Sequence, residues 1–378
     1  MVRLRFGQPG PVRNAVSLYF WASVAAFLLV LSIFKQELMP AKFFYDALTI
    51  DSMIGSVPFF VPGASYASTA YFYSLLGVDV TTQWFIIVSS FLVVMTMAAC
   101  LNRLGRSTID LADAVIVVFL SFLAITYVPF LSKEFIAFLP TIAFFLALRF
   151  GVRSAIASWF VLVVLYGLVF RTYWVLFAIQ FLLLYFIFAK TRSIKVLLIA
   201  TLASLFCITM ILSYGLGIDV DSLRNDVNER RLDQGVEDAK TMIQPWLGQG
   251  SPVNTYFNLV ITLVTLIIPV PLALMFTIYH GFVFIMLSWI ARVVGKRARS
   301  YTATRSAGRD VLYEFSLVAV VAFVSIQCIF EPDYGSYLRH LSPFYPFIII
   351  SAFRAVQRGV GNPSAPSNEQ HVQSLGVN

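Results

Sequence analysis

The sequence predicts an all-α polytopic integral membrane protein with about 10 transmembrane helices, both termini cytoplasmic and two larger periplasmic loops. Three observations carry this reading. Of 378 residues, 59% are hydrophobic and only 12% charged, against about 25% charged in a soluble domain, which excludes a single water-soluble globule. Apolar windows recur along the chain at about the 20-residue length that crosses a hydrocarbon core. The basic residues between those windows fall mostly on one side.

Taken in order, the windows are 15–34, 83–102, 111–130, 133–149, 155–170, 174–189, 195–214, 271–291, 311–330 and 341–356. The first follows Arg3, Arg5 and Arg13, and no small-residue cleavage site comes before Lys35. It therefore reads as a retained signal anchor with the N-terminus in the cytoplasm. Ten crossings place 18 of the 27 basic residues inside, and 14 of the 19 acidic residues on or near the outer side. The net charge of +8 is then an orientation signal, with Arg292–Arg309 read as a basic loop, and a nucleic-acid partner is not expected. The stretch 253–291, broken by Ile268-Pro269-Val270-Pro271, is too long for one span. An interfacial or re-entrant helix at about 253–268 followed by one crossing keeps the required odd number.

The expected organisation is one transmembrane domain over 1–358, with outer loops at about 35–82 and 215–255, and a disordered cytoplasmic tail over 359–378. The first loop is aromatic-rich and suited to short helices at the membrane surface. In the second, Arg224, Arg230 and Arg231 lie among seven acidic residues between Asp219 and Asp238, the pattern of a solvated helix. Cys100, Cys207 and Cys328 sit inside apolar runs and read as fillers. His280 reads as a packing histidine within a helix, and Asp110 and Asp113 as residues that open a helix at its N-terminus. Neither a metal nor a cofactor is expected, since no Walker loop, dinucleotide fingerprint, His-Glu-x-x-His or paired-Cys motif occurs.

The informative charges lie at three hairpin tips of short windows. Ala155–Phe170 and Trp174–Ala189 flank Arg171, Phe135–Leu148 follows Lys133 and Glu134, and Leu341–Phe353 follows Arg339 and His340. Helices that short, at 1.5 Å per residue, recess their polar ends below the headgroups. Ionisable groups at that depth normally face a polar cavity or a partner, although lysine and arginine also snorkel to the surface. The segment from Phe330 to Pro343 is the densest polar patch. Glu331 and Asp333 suit a base or its orienting group, Arg339 a bidentate phosphate contact, and His340 titration near neutral pH. Ion pairing of Glu331 or Asp333 with Arg339, and of Arg171 with Glu134, is the purely structural alternative. Tyr173, Trp174, Tyr334, Tyr337 and Tyr345 offer sugar-stacking faces. Such a set fits a sugar carried on a lipid pyrophosphate, with arginines holding the leaving group and a carboxylate or His340 taking the acceptor's proton.

This pattern resembles the bacterial Wzy-type polysaccharide repeat-unit polymerases. The likeness rests on about ten spans, Lys133-Glu134, Arg171-Thr172-Tyr173, a sizeable outer loop, and Glu331-Pro-Asp-Tyr-Gly-Ser-Tyr-Leu-Arg339-His340-Leu-Ser-Pro. Tyr45-Asp46, Ser65-Tyr66-Ala67 and Leu75-Leu76-Gly77 add to it in the first outer loop. The resemblance implies metal-independent polymerisation of undecaprenyl-pyrophosphate-linked oligosaccharides (O-antigen, capsule or exopolysaccharide) at the periplasmic face of the inner membrane. It carries over Arg171 and Arg339 as arginines that bind the lipid-linked chains, while the second outer loop lacks the repeated arginine motif of some relatives and leaves donor and acceptor sites open. The chemistry of the residues themselves adds His340, Glu331, Asp333 and Glu134 as catalytic candidates, and Lys133, Tyr173 and Tyr337 beside the two arginines for the pyrophosphate and sugar. Asp46, Arg230 and Arg231 are secondary candidates. Lipid-linked oligosaccharides, membrane lipid, a chain-length regulator and a flippase are the implied partners. Two alternatives stand beside it: a polytopic transferase using a lipid-monophosphate sugar with Asp46 at the sugar, and a glycan transporter, disfavoured because polar residues at mid-helix are few.

Overall fold

The computed structural model describes residues 11–105, 110–222, 224, 228, 241–248, 250–304 and 308–354. Arg230, Arg231 and the expected tail 359–378 lie outside them. Among the described residues the architecture is helical, and six helices are long and apolar enough to cross a membrane.

Every apolar window contains a helix. The first is α1 (Pro11–Ile33), with proline at the position where its missing N–H costs nothing. The connection that follows holds α2 (Lys35–Leu38), α3 (Tyr45–Met53) and α4 (Ser65–Leu76), the last closed by Gly77 at φ +62°. Then come α5 (Gln83–Asn102), α6 (Leu111–Tyr127) and α7 (Lys133–Ala147). Next are α8 (Val152–Val169), α9 (Tyr173–Thr191) and α10 (Ile194–Met210). After the second long connection come α11 (Pro252–Ile267), the single turn α12 (Val270–Ala273) and α13 (Ile278–Ala303). The chain continues with α14 (Val311–Phe330), α15 (Tyr334–Leu341) and α16 (Tyr345–Phe353).

Four expectations change. Helices α8 and α9 run 18 and 19 residues, because hydrogen bonding continues through the polar Arg153 and Lys190 that an apolar window leaves out. At about 27 and 28 Å they fall only slightly short of the roughly 30 Å core, and neighbouring side chains bury Arg171 to 7% exposure, whereas α7 is indeed only 15 residues long. The basic run from Arg292 is mostly helix, since α13 continues to Ala303. His280 is not mid-helix: it lies in the first turn of α13, where Thr277 Oγ1 meets its Nδ1 at 2.6 Å and accepts its backbone N–H at 3.2 Å. Arg224 is buried to 2% exposure and paired with Asp221 at 3.0 Å, so that part of the second loop is not a solvated helix face.

The last window holds only the nine residues of α16. Pro343 and Pro346 remove N–H donors and break the helical run, and neighbouring helices bind this segment through its backbone: Thr141 Oγ1 donates to Pro343 O at 2.9 Å and Cys100 Sγ to Pro346 O at 3.2 Å. Every residue of α16 is buried, as is most of α14. The α14–α15–α16 hairpin is thus the centre of the bundle, with the other helices around it. Aromatic stacking fills that centre, as where Phe144 lies parallel to Phe315 at 4.6 Å.

The bundle end opposite the α14–α15 connection is held by charge. Glu314, fully buried, accepts from Tyr301 at 2.7 Å and Arg309 at 2.6 Å and faces Arg192 at 3.5 Å. Asp310 binds Arg354 at 2.6 Å, and Arg354 in turn reaches the Arg103 carbonyl.

Candidate functional site

Local rules at each helix start bring the polar tips together. Ser132 caps α7 by accepting the Phe135 N–H at 3.1 Å, which places Lys133 and Glu134 in the first helical turn, where the positive end of the helix favours a carboxylate. Asp333 caps α15, accepting the Ser336 N–H at 2.8 Å and its hydroxyl at 2.7 Å. That cap leaves Glu331 just outside the helix and puts Arg339 and His340 in its last turn. Between α8 and α9 the turn at Arg171 is tight because Gly167 lets the two backbones touch: a Cβ there would lie 2.8 Å from Val175 N.

Side chains from four separate segments then converge. Glu134 Oε1 lies 3.2 Å from Arg171 Nη2, 3.6 Å from Arg339 Nε and 3.5 Å from His340 Nε2. Asp46, on α3, puts its Oδ2 2.9 Å from Arg339 Nη1 and 3.0 Å from Lys133 Nζ. Its Oδ1 accepts the Tyr66 hydroxyl at 2.7 Å, and the Tyr66 ring lies under the Lys133 ammonium at 3.6 Å. His340 Nδ1 meets Glu331 Oε2 at 2.8 Å. Arg171 Nη1 also donates to Tyr173 Oη at 3.2 Å.

Glu134 and Glu331 are each 1% exposed and Lys133 5%, whereas the side chains of Arg339 and Asp46 retain 23% and 19%. The cluster therefore opens to solvent along its Asp46–Arg339 edge. Three carboxylates, Asp46, Glu134 and Glu331, face Lys133, Arg171 and Arg339. Burial pushes the Asp46 carboxyl up, but the charges of Arg339 and Lys133 and the Tyr66 hydroxyl more than offset this and hold it well below the usual carboxylate range. Glu134 Oε2 is buried with no hydrogen-bond partner among the described residues, an acceptor site of the kind that normally calls for a ligand, water or ion.

Chemically, the arrangement sets a carboxylate-oriented imidazole beside a group of cations, the components from which a base and an anion clamp can be built. A carboxylate on Nδ1 orients the imidazole, and with Nδ1 carrying the proton Nε2 is left as an acceptor. The cations are fixed before any substrate arrives, the condition for stabilising a leaving anion.

Seven expected residues are brought into this arrangement directly: Lys133, Glu134, Arg171, Tyr173, Glu331, Arg339 and His340. Asp46, a secondary candidate, is central to it. Asp333 shapes the site through its cap, with both carboxylate oxygens bonded to Ser336. Of the ion pairs in the purely structural alternative, Arg171–Glu134 is present at 3.2 Å, while Arg339 meets Asp46 and Glu134. Tyr337, Trp174, Tyr334 and Tyr345 are at most 3% exposed, so their faces are covered by the core; Tyr173 stacks on Phe330 at 5.0 Å. Tyr66 was not singled out as a site residue, and nothing in its spacing from Asp46 marks it.

The second long connection abuts the site through the backbone. Ile243 N donates to Pro332 O at 2.8 Å, and Met242 pairs with Asp333. Asn258 on α11 anchors that connection, accepting the amides of Trp246 and Leu247 at 3.0 and 2.8 Å, while its Nδ2 reaches Asp221 at 3.2 Å. Comparison with protein-family models, curated proteins and solved structures finds no match.

Proposed function

We propose that this protein is a multi-pass glycosyl polymerase of the bacterial inner membrane, joining undecaprenyl-pyrophosphate-linked oligosaccharide repeat units at the periplasmic face. The observation that carries the reading is the convergence of Lys133, Arg171 and Arg339 with the Glu331–His340 pair in one cluster open on one edge. In this reaction an acceptor sugar hydroxyl attacks the anomeric carbon of the donor chain, a new glycosidic C–O bond forms, and the anomeric C–O bond to the lipid pyrophosphate breaks. His340 Nε2 takes the hydroxyl proton, Glu331 steadies the resulting imidazolium, and the cations receive the pyrophosphate. Pyrophosphate leaves readily, so fixed cations can do what a metal does elsewhere. The ten-span topology, with the Arg103, Arg192, Arg309 and Arg354 end in the cytoplasm, belongs to the same proposal, as do a chain-length regulator and a flippase as partners.

The test is the glycan length profile of a deletion strain complemented with Arg171→Ala, Arg339→Ala or His340→Ala at matched protein levels. Single repeat units without long chains are expected; normal long chains from all three variants would refute the assignment. Absence of even single units would place the protein at an earlier transferase or flippase step.

The position of Asp46 favours one other reading, a transferase using a lipid-monophosphate sugar with Asp46 at the sugar. Because Asp46 binds Arg339 directly at 2.9 Å, mutating either disturbs both, and loss of activity does not separate the two readings. Purified protein supplied with each donor does: release of lipid pyrophosphate supports polymerisation, and release of lipid monophosphate supports the alternative.

A further inference from the structure

The Asp46 carboxylate lies where an incoming anion would be expected. One oxygen, Oδ2, is held by two cations from different elements, Lys133 Nζ at 3.0 Å from α7 and Arg339 Nη1 at 2.9 Å from α15. Arg171 stands behind them on Glu134. Two cations converge on a single oxygen that is itself covered, next to the partly exposed remainder of the Asp46 and Arg339 side chains, the arrangement that receives a phosphate oxygen. Asp46 comes from the first long connection and not from the helices that carry the cations. Besides them, it is held by Tyr66, which belongs to that same connection.

We infer that Lys133 and Arg339 form a binding subsite for a phosphate or diphosphate group, and that the Asp46 carboxylate is its built-in placeholder, displaced when the group binds. The inference rests on the proposed reading only for which molecule carries the phosphate. A placeholder solves a physical problem. Two cations left facing each other would repel, and buried Lys133 would lose its nearest counter-charge. The carboxylate offsets part of that charge between turnovers, yet carries only one charge, against about 1.5 to 2 on a phosphate monoester at neutral pH. Tethered on the same chain, it competes at an effective concentration on the order of mM, so substrate binding is weakened but not prevented. The displacement needed is a rotation of the Asp46 side chain, because Ala47 and Ile50 beside it on α3 are buried at 3% and 0% exposure and keep that helix seated.

This role is opposite in sign to a catalytic one in a binding assay. Purified full-length protein in neutral detergent is titrated with inorganic pyrophosphate and, separately, with farnesyl pyrophosphate, against sodium chloride at matched ionic strength, with the thermal unfolding midpoint as readout. Removing a tethered competitor tightens binding, so Asp46→Asn is expected to half-saturate at a concentration about fivefold lower or less. Tyr66→Phe, which frees Oδ1 and keeps every charge, moves in the same direction by about twofold and decides the matter if Asp46→Asn does not fold. Adding Lys133→Ala or Arg339→Gln to Asp46→Asn abolishes the gain. A larger gain for the prenyl compound identifies a lipid-linked source, and an equal gain a soluble diphosphate; both support the subsite. Unchanged or weaker binding in the folded Asp46→Asn and Tyr66→Phe proteins, or double variants that bind as tightly as Asp46→Asn, would overturn it. The outcome is separable from the polymerase reading: tighter anion binding in these variants, combined with normal glycan chains in the Arg171, Arg339 and His340 variants, keeps the subsite and removes the polymerase.

Discussion

Lys35 shows what a single buried charge does to this fold. It follows α1, is 1% exposed, donates to the Pro129 carbonyl at 2.8 Å and lies 4.8 Å from the Phe130 ring centroid. With Tyr73, whose hydroxyl donates to Ser132 O at 2.8 Å and accepts from Ser132 N at 3.1 Å, it fixes the turn that presents Lys133 and Glu134. Burial pushes the Lys35 ammonium down from 10.5 to about 7. Between those two values the unfolded chain holds a proton here that the folded chain has released, so stability rises with pH across that window. Below the lower value both forms are charged and the full cost of burial is present. Lys35→Met is therefore expected to unfold at a higher temperature than the parent protein at pH 6 to 7. The difference should shrink steadily as pH rises toward 10.5, above which the lost bond to Pro129, worth about 1 kcal/mol, is the main remaining difference. Thermal midpoints of both proteins across that range check it; a difference independent of pH would contradict it.

At the scale of elements, the site depends on how closely α8 and α9 approach. Gly167→Ala puts a methyl 2.8 Å from Val175 N and 3.1 Å from the Trp174 carbonyl carbon, both backbone atoms. The hairpin must open, at a cost of about 1–3 kcal/mol for an overpacked contact. The expected result is a lower thermal midpoint in detergent and, on the proposed polymerase reading, shortened glycan chains, because Arg171 moves away from Glu134; an unchanged midpoint would show that the hairpin has slack. The helices themselves were legible from apolar run length, and the three charged tips from their position at the ends of those runs. That the tips share one cluster was also legible, since adjacent hairpins opening on one side place their charges on one level. What could not be read were the partners, because which carboxylate meets which arginine is set by lateral packing between helices distant in sequence. Asp46 illustrates this: 87 residues separate it from Lys133 and 293 from Arg339, and no periodicity links them. The burial of Arg224 was hidden for the same reason, since its cover is the Thr255, Asn258 and Thr262 face of α11, more than 30 residues away, where Thr262 accepts from it at 3.2 Å.

For the whole molecule, the open question is which side of the membrane each end occupies, and the segment between the second long connection and α14 decides it. Helix α11, at 16 residues, is about 24 Å long, short of the roughly 30 Å hydrocarbon core, whereas α13, at 26 residues, is about 39 Å and exceeds it. One crossing by α13 alone puts the connection before α11 and the basic end of α13 on opposite sides; crossings by both put them on the same side and reverse every later helix. Residues Gln244 and Ser300 are exposed on the two flanks, and Cys207 is the exposed cysteine while Cys100 and Cys328 are buried. In a Cys207→Ala background, Gln244→Cys is expected to react in intact spheroplasts with a membrane-impermeant maleimide. Ser300→Cys is expected to react only after permeabilisation. Equal labelling of both before permeabilisation would mean an even number of crossings, and the cluster of Asp46, Glu134, Arg339 and His340 would then share a side with residues now placed across the membrane from it.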